Sequence, residues 1–262
     1  MIWSLFNDLR KHNKLAAQRN PMYEKNRFAQ FFLVFGALFW VAYLIFMGTM
    51  LAFSLKNSTI NFEAYQLLNM ALPVILSIDF LMRFPIQKPP TQEITPYLLL
   101  PIPKKQVINF LLLRSIPHFM NFFWLFFFIP FSLFTVTTYY GLSGVLLYNL
   151  GIWLLLVMNN YWYQLCRLLI SENLFWILLP LIFYAGLALL IFLPDESPVG
   201  YFFRAFGDYL IEGKLWVFLL VILCIALLFL VNRFVVNKLI YSETSKTQDT
   251  TKVLSISSYS YL

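Results

Sequence analysis

A chain of 262 residues that is 60% hydrophobic and 19% aromatic but only 12% charged departs from the soluble average, in which apolar residues are about half of the total. Its formal charge of +7 would suit a nucleic-acid surface if it formed one basic face. Instead the charges gather in clusters separated by apolar runs of about twenty residues, each able to cross a hydrocarbon core about 30 Å thick. That placement excludes a soluble globule and a nucleic-acid partner, and the sequence reads as an all-α integral membrane protein.

The chain opens on a segment, 1–27, in which Ile2, Leu5, Phe6 and Leu9 recur at i, i+3, i+4 and i+7 while Asp8, Arg10 and Lys11 face elsewhere. This spacing predicts an amphipathic helix on the inner membrane surface, its basic side toward anionic headgroups. The charges also interrupt any secretory apolar core. A membrane domain, 28–240, follows with six spans expected at roughly 28–53, 65–84, 116–136, 142–163, 174–193 and 215–231, the fifth with Ser171 as its N-cap. Cys166 and Cys224 lie in or beside apolar segments and read as packing residues.

Between spans two and three, the segment 83–105 holds six of the thirteen prolines: Pro85, Pro89, Pro90, Pro96, Pro101 and Pro103. Proline fixes φ and removes a donor, so this loop is stiff. Thr95 with Pro96 fits an N-cap and first helical residue. A short turn through Tyr97, Leu98, Leu99 and Leu100 would stop at Pro101, and Pro103 would open the next helix at Lys104 and Lys105. A loop this apolar either dips into the interface or is covered by another protein. The external segment 194–214 mixes Asp195, Glu196, Arg204, Asp208, Glu212 and Lys214 with Tyr201, Phe202, Phe203, Phe206 and Tyr209. It predicts one or two short helices at the outer interface, serving as an aromatic belt or an exit lid. A tail, 241–262, turns polar and then apolar again.

Sixteen of the nineteen Lys and Arg residues fall on one side of this arrangement, leaving only Lys56, Arg204 and Lys214 on the other. The basic side faces the cytoplasm, so both ends of the chain are expected inside.

Charges at membrane depth normally pair or line a cavity. Asp79 and Arg83 are four apart on span two, hence on one face, as are Arg114 and His118 at the start of span three, followed by Asn121. Two readings stand side by side. In one, Asp79 joins Arg83 or Arg114 in an inner-gate polar network. In the other, the arginines snorkel to the headgroups and Arg83 neutralises Asp79 locally. Asn159 and Asn160 read as interhelical hydrogen-bond partners. The chain has no G-x-x-x-x-G-K-[ST] loop, no H-E-x-x-H and no C-x-x-C, and its only histidines are His12 and His118. No catalytic, cofactor or metal site is expected in it.

The order of these segments, and above all the stretch Ile94-Thr95-Pro96-Tyr97-Leu98-Leu99-Leu100-Pro101-Ile102-Pro103-Lys104-Lys105-Gln106-Val107-Ile108, resembles the membrane subunit of an ABC-2 type ATP-binding-cassette exporter. In that family a leucine-rich L-P-I-x-K/R coupling helix lies between spans two and three. An amphipathic helix precedes span one, and an external re-entrant hairpin precedes span six. The chain is most similar to a Bacteroidota branch of these permeases. The resemblance implies a multi-pass protein of the bacterial cytoplasmic membrane that moves a substrate without itself hydrolysing ATP. A separate cytoplasmic ATPase would bind ATP and dock on Thr95 to Pro101, Lys104 and Lys105, and a second permease unit, identical or fused, would complete the path. The tail would then end a half-transporter or lead into a further region. The rival readings are a secondary transporter or channel using Asp79, a non-transporting membrane scaffold, and, more remotely, an intramembrane enzyme.

Overall fold

The computed structural model describes the backbone at residue 11 and over 27–56, 62–87, 103–192 and 197–257, with side chains as far as 239. The rest of the amphipathic helix expected over 1–27, the residues expected to dock an ATPase (Thr95, Pro96, Tyr97, Leu98, Leu99, Leu100 and Pro101), and the end of the tail lie outside the described residues. The described residues are helical apart from short turns, bends and links between helices, with no strand among them.

The helices are α1 (Arg27–Lys56), α2 (Ala64–Met70), α3 (Leu72–Ile86), α4 (Lys104–Arg114), α5 (Met120–Phe123), α6 (Leu125–Thr135), α7 (Thr137–Glu172), α8 (Leu178–Phe192), α9 (Pro198–Ile211) and α10 (Leu215–Ser257). Four stretches are long and apolar enough to cross a bilayer: Val34–Lys56, Thr137–Glu172, Leu174–Ile191 and Leu215–Leu239. Helices α2 and α3 meet the same test only as a pair, bent by 52°. Met120–Thr135 is a shorter apolar stretch. With this many apolar helices the chain is a multi-pass membrane protein.

Several boundaries differ from the sequence expectation, each for a local reason. Span two breaks at Ala71, because Pro73 in the first turn of α3 has no N–H to continue the α2 ladder. Span three does not start at 116. Pro117 ends α4, and the apolar helix resumes only at Met120, with a second break at Trp124. Span four runs on to Glu172. Ser171 is not the cap of span five. Its hydroxyl donates to the Leu168 carbonyl, and Asn173 caps instead, accepting from the Phe175 N–H at 3.0 Å. The sixth span continues as helix through Ser257, beyond the expected end near 231. As expected, Pro103 sits at the N-cap of α4.

The described part of the segment 194–214, expected on the outer side, forms one helix, α9, opened by Ser197, whose hydroxyl accepts from the Gly200 N–H at 3.0 Å, with Pro198 next. It is closed by Gly213 at φ +72°, which lets Lys214 N–H reach the Tyr209 carbonyl and Gly213 N–H reach that of Leu210. Rather than lying flat on the surface, α9 is wedged into the bundle. Leu210 and Ile211 are buried, and Leu210 fills the space over Gly151 of α7. The Asn69 side chain of α2 occupies the space where Gly207 lacks a Cβ. Glycine serves the same purpose in α1, where Gly48 lies against the Phe127 carbonyl and lets α1 close on α6.

The main core joins Leu68, Phe128, Phe131, Tyr148, Ile152 and Leu210, drawn from α2, α6, α7 and α9. A second cluster holds Ile108 and Leu112 of α4 against Tyr161 and Leu168 of α7 and Val236 of α10. Outside these, large apolar side chains such as Phe35, Leu146, Phe175 and Leu219 remain exposed, as a lipid-facing surface requires.

Candidate functional site: a buried ion pair held by a broken helix

The site begins with a proline. Pro117 cannot extend α4, so the Ile116 carbonyl is left without a backbone donor among the described residues and that of Ser115 keeps only the His118 N–H at 3.3 Å. An unmet carbonyl at membrane depth costs several kcal/mol, roughly the price of a lost hydrogen bond in hydrocarbon. Two side-chain amides meet it. Asn121 Nδ2 donates to the Ser115 carbonyl at 3.0 Å and to the Ile116 carbonyl at 2.8 Å, and Asn160 Nδ2 on α7 reaches Ser115 at 3.3 Å.

With their NH₂ groups committed, both amides turn their oxygens the other way, toward Arg83. The guanidinium Nη1 donates to Asn121 Oδ1 and to Asn160 Oδ1, each at 3.0 Å. Its Nε donates to Asp79 Oδ2 at 2.8 Å, one turn back on α3. Arg83 Nη2 is buried without a partner among the described residues, whereas Asp79 takes three donors in all: Oδ2 also accepts from Asn159 Nδ2 at 2.7 Å, and Oδ1 accepts from Trp124 Nε1 at 3.1 Å. Both side chains of the ion pair are 0% exposed. A pair this deep is tolerated because each charge is matched and hydrogen-bonded on several sides. Asn159 also donates to the Leu76 carbonyl at 2.9 Å, so α3 and α7 are stitched along a full turn.

The sequence singled out Asp79, Arg83, Arg114 and His118 together, and the structure separates them. Asp79 and Arg83 form the core of the cluster. Arg83 does not snorkel, because it is fully enclosed and bonded across three helices. Arg114 lies exposed in the last turn of α4. His118 belongs to an adjoining contact, where its Nδ1 accepts from the Met120 N–H at 3.3 Å and lies 3.0 Å from Gln87 Nε2. The Gln87 carbonyl accepts from the Tyr163 hydroxyl at 3.1 Å. Gln87 is thus clamped where the chain leaves α3 for the proline-rich loop, and the far side of that loop is tied down by Tyr161, whose hydroxyl donates to the Leu112 carbonyl at 2.8 Å. Lys104 and Lys105 occupy the first turn of α4. Asn159 and Asn160 act as interhelical partners, as their positions predict.

Trp124, Gln87, Tyr161 and Tyr163 carry no signal in the sequence, nor does a second polar cluster among α2, α7 and α9. There the Tyr148 hydroxyl donates to Asn69 Oδ1 at 2.8 Å, Gln66 Nε2 donates to Asp208 Oδ2 at 3.3 Å, and the Tyr139 hydroxyl bonds Glu63. Burial pushes the Asp208 carboxyl above the usual carboxylate range, against the opposing pull of Arg204 and the Gln66 bond.

Beside the ion pair lies a cavity of about 420 Å³, lined by Leu76, Asn159, Trp162, Tyr184, Phe203 and Cys224 among others. Its walls are almost wholly apolar, and through Asn159 it touches the residue that bonds Asp79.

No curated protein and no solved structure matches the chain. Over residues 13–262, however, the chain matches, and so belongs to, the family of unknown function DUF5687.

Proposed function

We propose that this chain is the membrane-spanning permease subunit of an ABC-2 type ATP-binding-cassette exporter. Two copies, or fused halves, line a path through the bacterial cytoplasmic membrane, and a separate cytoplasmic ATPase supplies the energy. The chain then has six spans: the four long apolar helices, the bent α2–α3 pair and the Met120–Thr135 stretch. The basic excess on one side sets both termini in the cytoplasm. The amphipathic segment 1–27 supports the joint with the ATPase.

The observation that carries this reading is where the buried network sits. Arg83 and Gln87 lie at the exit from α3, and Asn121 follows the entry helix α4. All are bonded to one another or to α7 through Asn160 and Tyr163. A push on the loop 88–102 would therefore reach α3, α5 and α7 together rather than being absorbed by one loose helix. Stiffening by six prolines in 83–105 serves the same end. The hold of three donors on the buried Asp79 argues against its use as a coupling carboxylate of a secondary transporter, which must exchange its partners during each cycle.

The test is affinity purification of the tagged chain from its native membrane. Wild type should bring down an ABC ATPase whose hydrolysis rate depends on the chain, and Leu99→Asp should lose it while still inserting and folding. Undiminished association in Leu99→Asp removes the docking assignment. Absence of any ATPase from the wild-type preparation removes the exporter reading itself.

A further inference from the structure

We propose that a cleft between α4 and α10 holds the headgroup phosphate of an anionic phospholipid. The cleft, about 240 Å³, is lined by Lys105 and Ile108 of α4 and by Leu230, Arg233, Phe234 and Asn237 of α10.

Depth comes first. From Leu215 at the start of α10 to Arg233 the helix climbs about 27 Å at 1.5 Å per residue, close to the thickness of a hydrocarbon core of about 30 Å. Arg233 therefore stands at headgroup level when Leu215 stands at the opposite boundary. On α10, Leu230, Arg233, Phe234 and Asn237 recur at i, i+3, i+4 and i+7, so they share one face. Leu230 lies one turn toward the apolar middle and Asn237 one turn beyond it. That order, apolar then cationic then polar, is the order of a phospholipid from acyl chain to headgroup.

Charge comes second. Among the described residues two cations line the cleft and no carboxylate does. Neither Lys105 nor Arg233 has an acidic partner among the described residues. Arginine forks onto phosphate through two parallel N–H groups, and lysine adds a point charge. The neighbouring surface is apolar, with Phe234 71% and Leu230 55% exposed. A soluble anion would gain nothing from those side chains, whereas an acyl chain would lie along them. Basic clefts between membrane helices take anionic lipid headgroups for these reasons. The face is held in register by Asn232, whose amide donates to the Tyr161 carbonyl of α7 at 2.9 Å.

The experiment is a lipid titration of the detergent-solubilised full chain, read by native mass spectrometry with phosphatidylglycerol and phosphatidylcholine as probes. Wild type should hold phosphatidylglycerol more than tenfold tighter, since each cation is worth roughly fivefold. Lys105→Gln/Arg233→Gln should erase that preference, while the charge-retaining Lys105→Arg/Arg233→Lys and the distant control Lys56→Gln keep it. Thermal unfolding in phosphatidylcholine micelles verifies that each variant folds. If the double variant does not, the single variants decide the matter in its place, each expected to lose about fivefold. Equal binding of the two lipids by wild type, or an undisturbed preference in the neutralised variants, overturns the proposal. Displacement of phosphatidylglycerol by millimolar inorganic phosphate would assign the cleft to a soluble anion and overturn it as well.

Discussion

Arg83 on α3 and Asn160 on α7 are joined by a 3.0 Å hydrogen bond between positions 77 residues apart, and that bond closes a ring of polar contacts around a fully enclosed charge. Arg83→Met leaves Asp79 buried with no counter-charge and should cost about 3–5 kcal/mol. Asp79→Leu/Arg83→Met removes both charges and should recover most of that loss. Thermal or denaturant unfolding in micelles measures it. A double variant no more stable than the weaker single variant would show that the charges, as a pair, are not what matters there.

The tight contact of Gly207 with Asn69 predicts a second, independent weakness. A methyl at 207 meets the Asn69 side chain, whose oxygen accepts from Tyr148. Gly207→Ala should therefore destabilise by about 1–3 kcal/mol through overpacking and a disturbed buried bond. Shortening the neighbour in Gly207→Ala/Asn69→Ser should restore part of the loss, as a clash relieved by its own cause would. A shift in melting temperature that adds across the two sites would contradict the contact.

Asp208 gives a pH signature. Its carboxyl is held above the usual range, chiefly by burial. The folded state therefore binds the proton more tightly than the unfolded chain does, and this group's contribution is fully present below the ordinary carboxylate value of 3.8. It fades as pH rises through the raised folded value. Asp208→Asn should then unfold at a higher temperature than wild type near neutral pH, with the gap narrowing as the solution is acidified. A gap that widens in acid would reverse the assignment.

The two thiols should respond differently to a small, membrane-permeant maleimide. Cys224 lines the 420 Å³ cavity, whereas Cys166 is enclosed at 0% exposure against Phe80 and Tyr163. Peptide mapping after labelling of the folded protein should find Cys224 modified and Cys166 spared until denaturant is added.

Long apolar runs made the helices legible, since α1, α7, α8 and α10 each follow from some twenty residues without charge. The breaks were less so, even where the cause was visible. Pro73 and Pro117 both stand inside apolar runs that still read as continuous spans, and only the packed bundle decides that a proline ends a helix rather than kinking it. Asp79 and Arg83 were legible as a pair because four residues bring them to one face. Their other partners were not, for Asn121, Trp124, Asn159 and Asn160 come from 38 to 80 positions away and meet them only through helix packing. Arg114 shares the neighbourhood in sequence but sits on the outer side of α4. Nothing local distinguishes the Asn69–Tyr148 and Gln66–Asp208 contacts, which exist because α9 is drawn into the bundle.

The interruption at Pro117 and the cation at position 83 are two halves of one interlock. The same asparagines that satisfy the unwound backbone also cradle the guanidinium, so straightening the helix would strip Arg83 of its neutral acceptors and strand it in hydrocarbon. A relative carrying a helix-forming residue at 117 should therefore have dispensed with the arginine as well, and any motion that re-winds this stretch must first bring water to it.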